Sequence, residues 1–221
     1  MNSIYLIGDS TCQYNDQSTY PQVGWGQVFS QYVNNNYQVI NLAKNGRSSK
    51  SFIDEGLFDF VVKNIKKDDF LIIQFGHNDQ KDDVNRHTDA FKEYIDNLLY
   101  FANTAKNVGA TPIILSSIYR RHFDENGNIM DNVHFDYPDA CKYLCQKENI
   151  LYIDMCKLTK EYLSFIGEVK SRELYMYFDK NIYPNYIEGK QDNTHLRLRG
   201  AEAFTSILIN ELVKLNINLT K

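Results

Sequence analysis

Apolar positions along this chain follow two alternating rhythms. Short runs rich in β-branched and aromatic residues at 4–7, 39–42, 70–75, 112–115 and 151–153 have the length of strands buried on both faces. Between them, apolar residues recur at three- and four-residue spacing, as in Phe91, Ile95, Leu98, Ala102 and Ala105, a stripe that Gly109 closes. Tyr137, Ala140, Cys141, Leu144 and Cys145 form a second helical stripe, and Phe204, Leu208, Leu212 and Leu215 a last one. Trp25, Val28, Phe29 and Tyr32 share a helix face, which predicts that Trp25 packs into the core. Strands without polar positions that alternate with amphipathic helices predict a parallel sheet covered on both sides. The expected fold is therefore α/β: one doubly wound, flavodoxin-like domain over 1–221, with a five-stranded parallel sheet and helices on both faces.

One long irregular insertion, 119–136, interrupts the alternation. Asn126-Gly127 between Phe123 and Ile129 predicts a small hairpin inside it. The insertion follows a strand's carboxyl end, the edge of an open parallel sheet where ligands bind.

Composition narrows the class further. At 221 residues, 43% hydrophobic and 24% charged, the chain can build a core without disulfide or metal staples. The net charge of -4 argues against nucleic acid as a partner, and no apolar run reaches the roughly 18 residues of a membrane span. Nothing in the sequence fixes the oligomeric state. The start is too short and too uncharged for a signal peptide, so the expected location is cytoplasmic, or secreted if a leader has been removed. Cys12, Cys141, Cys145 and Cys156 show no zinc spacing and are expected as buried free thiols.

The chemistry gathers where strands end. The first run leads into Gly8-Asp9-Ser10-Thr11, the second into Asn45-Gly46-Arg47-Ser48-Ser49, and the third into Gly76-His77-Asn78-Asp79. In a right-handed parallel sheet these three turns meet on one edge. Asp192-Asn193-Thr194-His195 precedes the last helix, with a spacing that lets the carboxylate reach the imidazole. Acyl transfer needs a hydroxyl nucleophile, a base, an acid that fixes the base's tautomer, and donors for an oxyanion. Ser10, His195 and Asp192 fit the first three roles. The backbone N–H groups of Ser10 and Gly46 and the Asn78 amide fit the fourth. His77, Asp79, Asp192 and His195 could instead be read as a metal cluster. The simpler reading, and the one adopted, is no metal and no cofactor, with His77 and Asp79 bracing the loop that carries Asn78.

In this order, Gly8-Asp9-Ser10, Gly46, Gly76-x-Asn78-Asp79 and Asp192-x-x-His195 resemble the four blocks of the SGNH (GDSL-type) hydrolases over nearly the whole chain. The segments 20–27, 45–52, 74–81 and Arg120-Arg121-x-Phe123-Asp124-x-Asn126-Gly127 are similar to the rhamnogalacturonan acetylesterase branch, carbohydrate esterase family twelve. That resemblance implies a cofactor-free serine esterase that removes O-acetyl groups from plant cell-wall sugars, with acetylated pectic oligosaccharides as substrate. Members are usually exported, and Ser116-Ser117-Ile118-Tyr119 stands where a Thr-Pro-containing run is expected. An esterase, lipase or thioesterase for other acyl groups is the alternative, and a non-catalytic carbohydrate binder a more distant one. For substrate contacts the candidates are Arg47, Tyr119, Arg120, Arg121 and His134, the arginines because a guanidinium suits a uronate carboxylate. The competing reading of these residues is salt bridging and packing within loops.

Overall fold

The five apolar runs pair as parallel neighbours because each hides side chains on both faces and needs a cover on each. In the computed structural model, which describes residues 1–219, the strands are β1 (Asn2–Gly8), β2 (Tyr37–Asn41), β3 (Phe70–Gln74), β4 (Thr111–Leu115) and β5 (Leu151–Ile153). Their order is β2-β1-β3-β4-β5, all parallel. The chain reverses its direction of winding between β1 and β3, and a crevice opens at that point beyond the strands' carboxyl ends.

The period of two sorts the strand residues into two layers. Ile4 and Leu6 of β1, Ile72 of β3 and Ile113 and Leu115 of β4 face one side. There they meet α1 (Trp25–Phe29), α6 (Met155–Ser171) and α7 (Leu198–Lys214), through Trp25, Phe29, Leu163, Phe204 and Leu208. Tyr5, Ile7, Leu71, Ile73 and Ile114 face the other side, under α2 (Ser49–Asp54), α3 (Asp59–Asn64), α4 (Ile95–Asn107) and α5 (Tyr137–Glu148). Phe52, Phe75 and Phe101 form an aromatic cluster in that layer, with Phe52 edge-on to Phe75 at 5.3 Å and Phe75 stacked on Phe101 at 5.6 Å.

Several expectations need correction in detail. β2 starts earlier than the apolar run and is only half-buried, and two of the three residues of β5 are partly exposed, because both strands lie at sheet edges. Phe91 leaves the α4 stripe and is 49% exposed, since a π-turn at Ala90–Tyr94 with non-helical backbone at Lys92 rotates it outward. Leu215 caps α7 and also faces solvent. Trp25 is 2% exposed and packs in the core as expected. Phe123 and Ile129 form an antiparallel bridge around Gly127, whose φ of 77° suits the hairpin turn expected there. All four cysteines are buried and free. No helix among the described residues is long and apolar enough to cross a membrane.

A second, two-stranded antiparallel sheet was not legible in the apolar pattern. β6 (Tyr175–Phe178) pairs with β7 (Lys190–Leu196), but the pairing is irregular. Tyr175 lies opposite Leu196 and Tyr177 opposite Gln191, so two steps on β6 match five on β7. Residues 192–195 are therefore thrown out of the ladder as a wide bulge.

Phe101 is fully buried in the aromatic cluster. Phe101→Ala should cost about 3–5 kcal/mol of unfolding free energy through loss of burial and the cavity left behind, read from the urea midpoint.

Candidate active site

The bulge in β7 solves a geometric problem. In a regular strand, residues three apart point to opposite faces, so Asp192 and His195 could not meet. Outside the ladder, Asp192 Oδ1 accepts the backbone N–H groups of Thr194 (2.8 Å) and His195 (3.0 Å), which folds the segment into a turn. Its Oδ2 lies 2.7 Å from His195 Nδ1, and His195 Nε2 lies 2.9 Å from Ser10 Oγ. Burial raises the Asp192 carboxyl, but the imidazole bond, the imidazole charge and the two backbone donors outweigh it and hold it at about 2. An ionised carboxylate only accepts, so Nδ1 carries the proton and Nε2 is left to accept from the Ser10 hydroxyl.

Ser10 is presented by a turn that its neighbours fix. The N–H groups of Cys12 and Gln13 donate to the Asp9 carbonyl, and Asp9 Oδ1 accepts from Thr11 N (2.9 Å) and Thr11 Oγ1 (2.8 Å). Behind the turn, Gln74 at the end of β3 accepts from Trp25 Nε1 at 2.6 Å and donates to the Ser116 carbonyl at 3.0 Å. These two residues tie the loops after β1, β3 and β4 to one another. The apolar pattern predicts Trp25 as core but not this polar use of its indole, and the signal was the lone glutamine closing an apolar strand.

Two of the oxyanion candidates, Asn78 and the Gly46 loop, are brought together. Asn78 is 3% exposed and spends one amide hydrogen on the Arg47 carbonyl at 2.9 Å, leaving the other unspent. Gly46 has φ 76°, and a Cβ there would meet nothing within 4 Å, so its place faces open space. The two loops are held by Asp79, which is wholly buried. Its Oδ1 accepts Ser49 N (3.0 Å), Ser49 Oγ (2.5 Å) and Thr88 Oγ1 (3.2 Å), and its Oδ2 accepts Gly76 N at 3.0 Å. One carboxylate thus links the Gly46 loop to the Asn78 loop, the bracing role expected of it. His77 braces the same loop through Nε2 and the Ile118 carbonyl at 2.9 Å. Among the described residues no cluster of three or more His, Cys, Asp or Glu could hold a metal ion.

The substrate-contact candidates separate. Arg121 is 4% exposed and committed to Glu168, Ser171 and Asn193, so it is a buried strut and not a contact. Tyr119 is 3% exposed and its hydroxyl donates to the Met130 carbonyl, which makes it packing for the insertion. His134 is buried, not at the surface: its Nε2 accepts from Arg120 N at 3.2 Å, and its ring lies 5.0 Å from that of His77. Burial holds both imidazoles well below the usual range, so they stay neutral. Arg47 turns its guanidinium to Glu55 and the Asn45 carbonyl. Of these five candidates, only Arg120 keeps guanidinium donors unspent among the described residues.

The sheet order and this edge are what an activated-serine hydrolase needs. The chain belongs to the GDSL-like lipase/acylhydrolase family, which it matches over residues 4–207. Rhamnogalacturonan acetylesterase RhgT of Bacillus subtilis (strain 168) is 37% identical over 216 residues, which cover 98% of this chain and 91% of that protein. The probable rhamnogalacturonan acetylesterase YesY of the same organism is 35% identical, covering 100% and 96%. The crystal structure of YxiM from Bacillus subtilis superposes with a TM-score of 0.83 at 26% identity, covering 99% of this chain and 58% of that one, so the chain spans little more than half of that protein. Axe2, an acetylxylan esterase of Geobacillus stearothermophilus, gives a TM-score of 0.66 at 17% identity over 96% of this chain and 94% of that one, a likeness of fold.

Burial pushes the Asp79 carboxyl up from 3.8 to about 6 against the donors that surround it. A folded value above the unfolded one means that protonation favours the folded state. The contribution is full below about pH 4 and is lost as pH rises through about 6. Wild-type stability relative to Asp79→Asn should fall across that window and level off above it in urea titrations, and the Asp79 carboxyl carbon should titrate by NMR near 6.

Proposed function

We propose that the protein is a serine O-acetylesterase that releases acetate from acetylated plant cell-wall sugars, pectic oligosaccharides of the rhamnogalacturonan type, through an acyl-enzyme. The observation that carries this reading is the unbroken chain from Asp192 through His195 to Ser10, with links of 2.7 and 2.9 Å. The names of the two full-length Bacillus relatives support the choice of leaving sugar.

In this reading Ser10 Oγ attacks the acetyl carbonyl carbon as His195 Nε2 takes its proton. The Nδ1 bond to Asp192 holds the tautomer that makes Nε2 the base and stabilises the imidazolium that forms. Negative charge moving onto the carbonyl oxygen meets the Ser10 and Gly46 N–H groups and the unspent hydrogen of the Asn78 amide. Collapse expels the sugar oxygen, which takes the proton from His195. A water, deprotonated by the same nitrogen, then attacks the acetyl-serine carbonyl, and acetate leaves as Ser10 recovers its proton. Every transfer uses side chains of this chain.

Ser10→Ala should abolish acetate release from acetylated rhamnogalacturonan oligosaccharides while circular dichroism stays that of the parent. Retained turnover in that variant would discard the mechanism, and preferential cleavage of an octanoyl nitrophenyl ester over the acetyl ester would discard the sugar assignment. Asn78→Ala should lower kcat by roughly 10²- to 10³-fold, as loss of one oxyanion donor does. A near-normal kcat would remove Asn78 from the hole.

A further inference from the structure

Arg120 differs from every other arginine of the chain. Arg47, Arg86, Arg121, Arg172 and Arg199 each pair with a carboxylate. Arg197 pairs with none but spends its three nitrogens on Tyr175, Tyr183 and Arg172 oxygens. Arg120 makes one bond from Nη2, to the His77 carbonyl at 3.1 Å. Its Nε is buried without a partner, and its Nη1 bonds no described residue. A guanidinium that is partly buried and short of acceptors is costly, because its charge has lost water without gaining a counter-ion.

Its position explains what such a residue is for. The Nη2 bond ends on His77, the neighbour of Asn78, while the next residue, Arg121, donates its N–H to the Asn193 carbonyl at 2.8 Å. Arg120 therefore sits in the seam between the loop that carries Asn78 and the bulge that carries Asp192 and His195. The other two buried side-chain polar atoms without partners among the described residues, Asp9 Oδ2 and His77 Nδ1, belong to residues around the same seam. Asp9 and Asp192 favour the Arg120 charge through space, yet neither is within ion-pair distance. The cation is held beside the catalytic edge, and its fork is not closed by any carboxylate of the protein.

We propose that Arg120 is a specificity residue that binds a carboxylate of the substrate, that of a hexuronate unit next to the acetylated sugar hydroxyl. The inference rests on the esterase reading above. A guanidinium donates two parallel N–H bonds to a carboxylate, here from Nη1 and the second hydrogen of Nη2 since Nε is buried, and such charge-assisted contacts are worth about 10- to 100-fold in affinity or rate. A neutral sugar would leave the same donors unpaired, so the site selects against uncharged analogues as well as for the acid.

The test compares acetate release from acetylated uronate-containing oligosaccharides with release from the same oligosaccharides after methyl esterification. The wild type should prefer the free acid by about 10- to 100-fold in kcat/KM. In Arg120→Gln the ratio should drop to near one, and Arg120→Lys, which keeps the charge but not the planar fork, should fall between. Raised salt should shrink the wild-type preference, a readout that needs no variant. A wild-type ratio near one, or a preference that survives in Arg120→Gln, would overturn the inference and leave the esterase reading standing. Release of acetate from neither substrate by the wild type would take down both.

Discussion

The catalytic edge depends on how closely β1 and β3 approach at their carboxyl ends. Gly8 pairs with Gln74 in the parallel ladder, and a Cβ at position 8 would stand 2.7 Å from the Gln74 carbonyl oxygen. Only glycine fits there, so the turn that follows leaves the sheet directly over the end of β3. The side chain of Gln74, anchored to Trp25 and Ser116, also accepts from Thr11 Oγ1 at 3.4 Å and so ties the turn that carries Ser10 to the end of β3. The crevice at the β1/β3 switch point is a general property of the sheet order. Its use here follows from one missing side chain and one buried glutamine.

Rigidity comes from paired polar groups more than from apolar contact at this edge. Asp79 fastens two loops with four donors, Asp9 fastens the nucleophile turn with Thr11, and Asp192 folds the bulge with two backbone N–H groups. Each carboxylate satisfies backbone donors that would be orphaned when the loops fold back over the sheet. The aromatic layer below, Phe52 against Phe75 and Phe75 against Phe101, fixes the strand ends from which these loops spring. The distances in the triad are thus set by bonds one or two residues away from the groups that react.

What the sequence revealed, and what it hid, follows the range of the interactions involved. The apolar runs of β1, β3 and β4 were legible because burial on both faces confines polar residues to the strand ends, whereas β2 and β5 lie at edges where most of each strand is only partly buried. The segments that bear Ser10, Asn78 and His195 could be placed because each follows a strand or precedes the last helix. The hairpin that holds His195 was not visible: Lys190-Gln191-Asp192-Asn193-Thr194-His195 has no apolar alternation, and its shape is set by pairing with Tyr175 and Tyr177. Arg120 and Arg121 look equivalent in sequence. They differ because Glu168, Ser171 and Asn193, distant in the chain, close on Arg121 alone.

Two carboxylates act on His195 from environments that push them in opposite directions. Asp192 is bonded to the imidazole and to two backbone N–H groups, and it stays ionised down to about pH 2. Asp9 is sealed in the turn before Ser10, and burial raises it although Thr11 donates to it twice and the His195 and Arg120 charges oppose the rise. In the proposed mechanism Asp192 orients the ring and takes up the charge of the imidazolium at contact distance. Asp9 makes no bond to the ring, so it cannot set the tautomer. It interacts with His195 through space all the same, and the attraction counts when the ring is protonated, the state that precedes expulsion of the sugar. Arg120 attracts the same carboxylate through space. The seam between the two loops can therefore hold a buried acid, a base and a cation together without any ion pair closing on the cation.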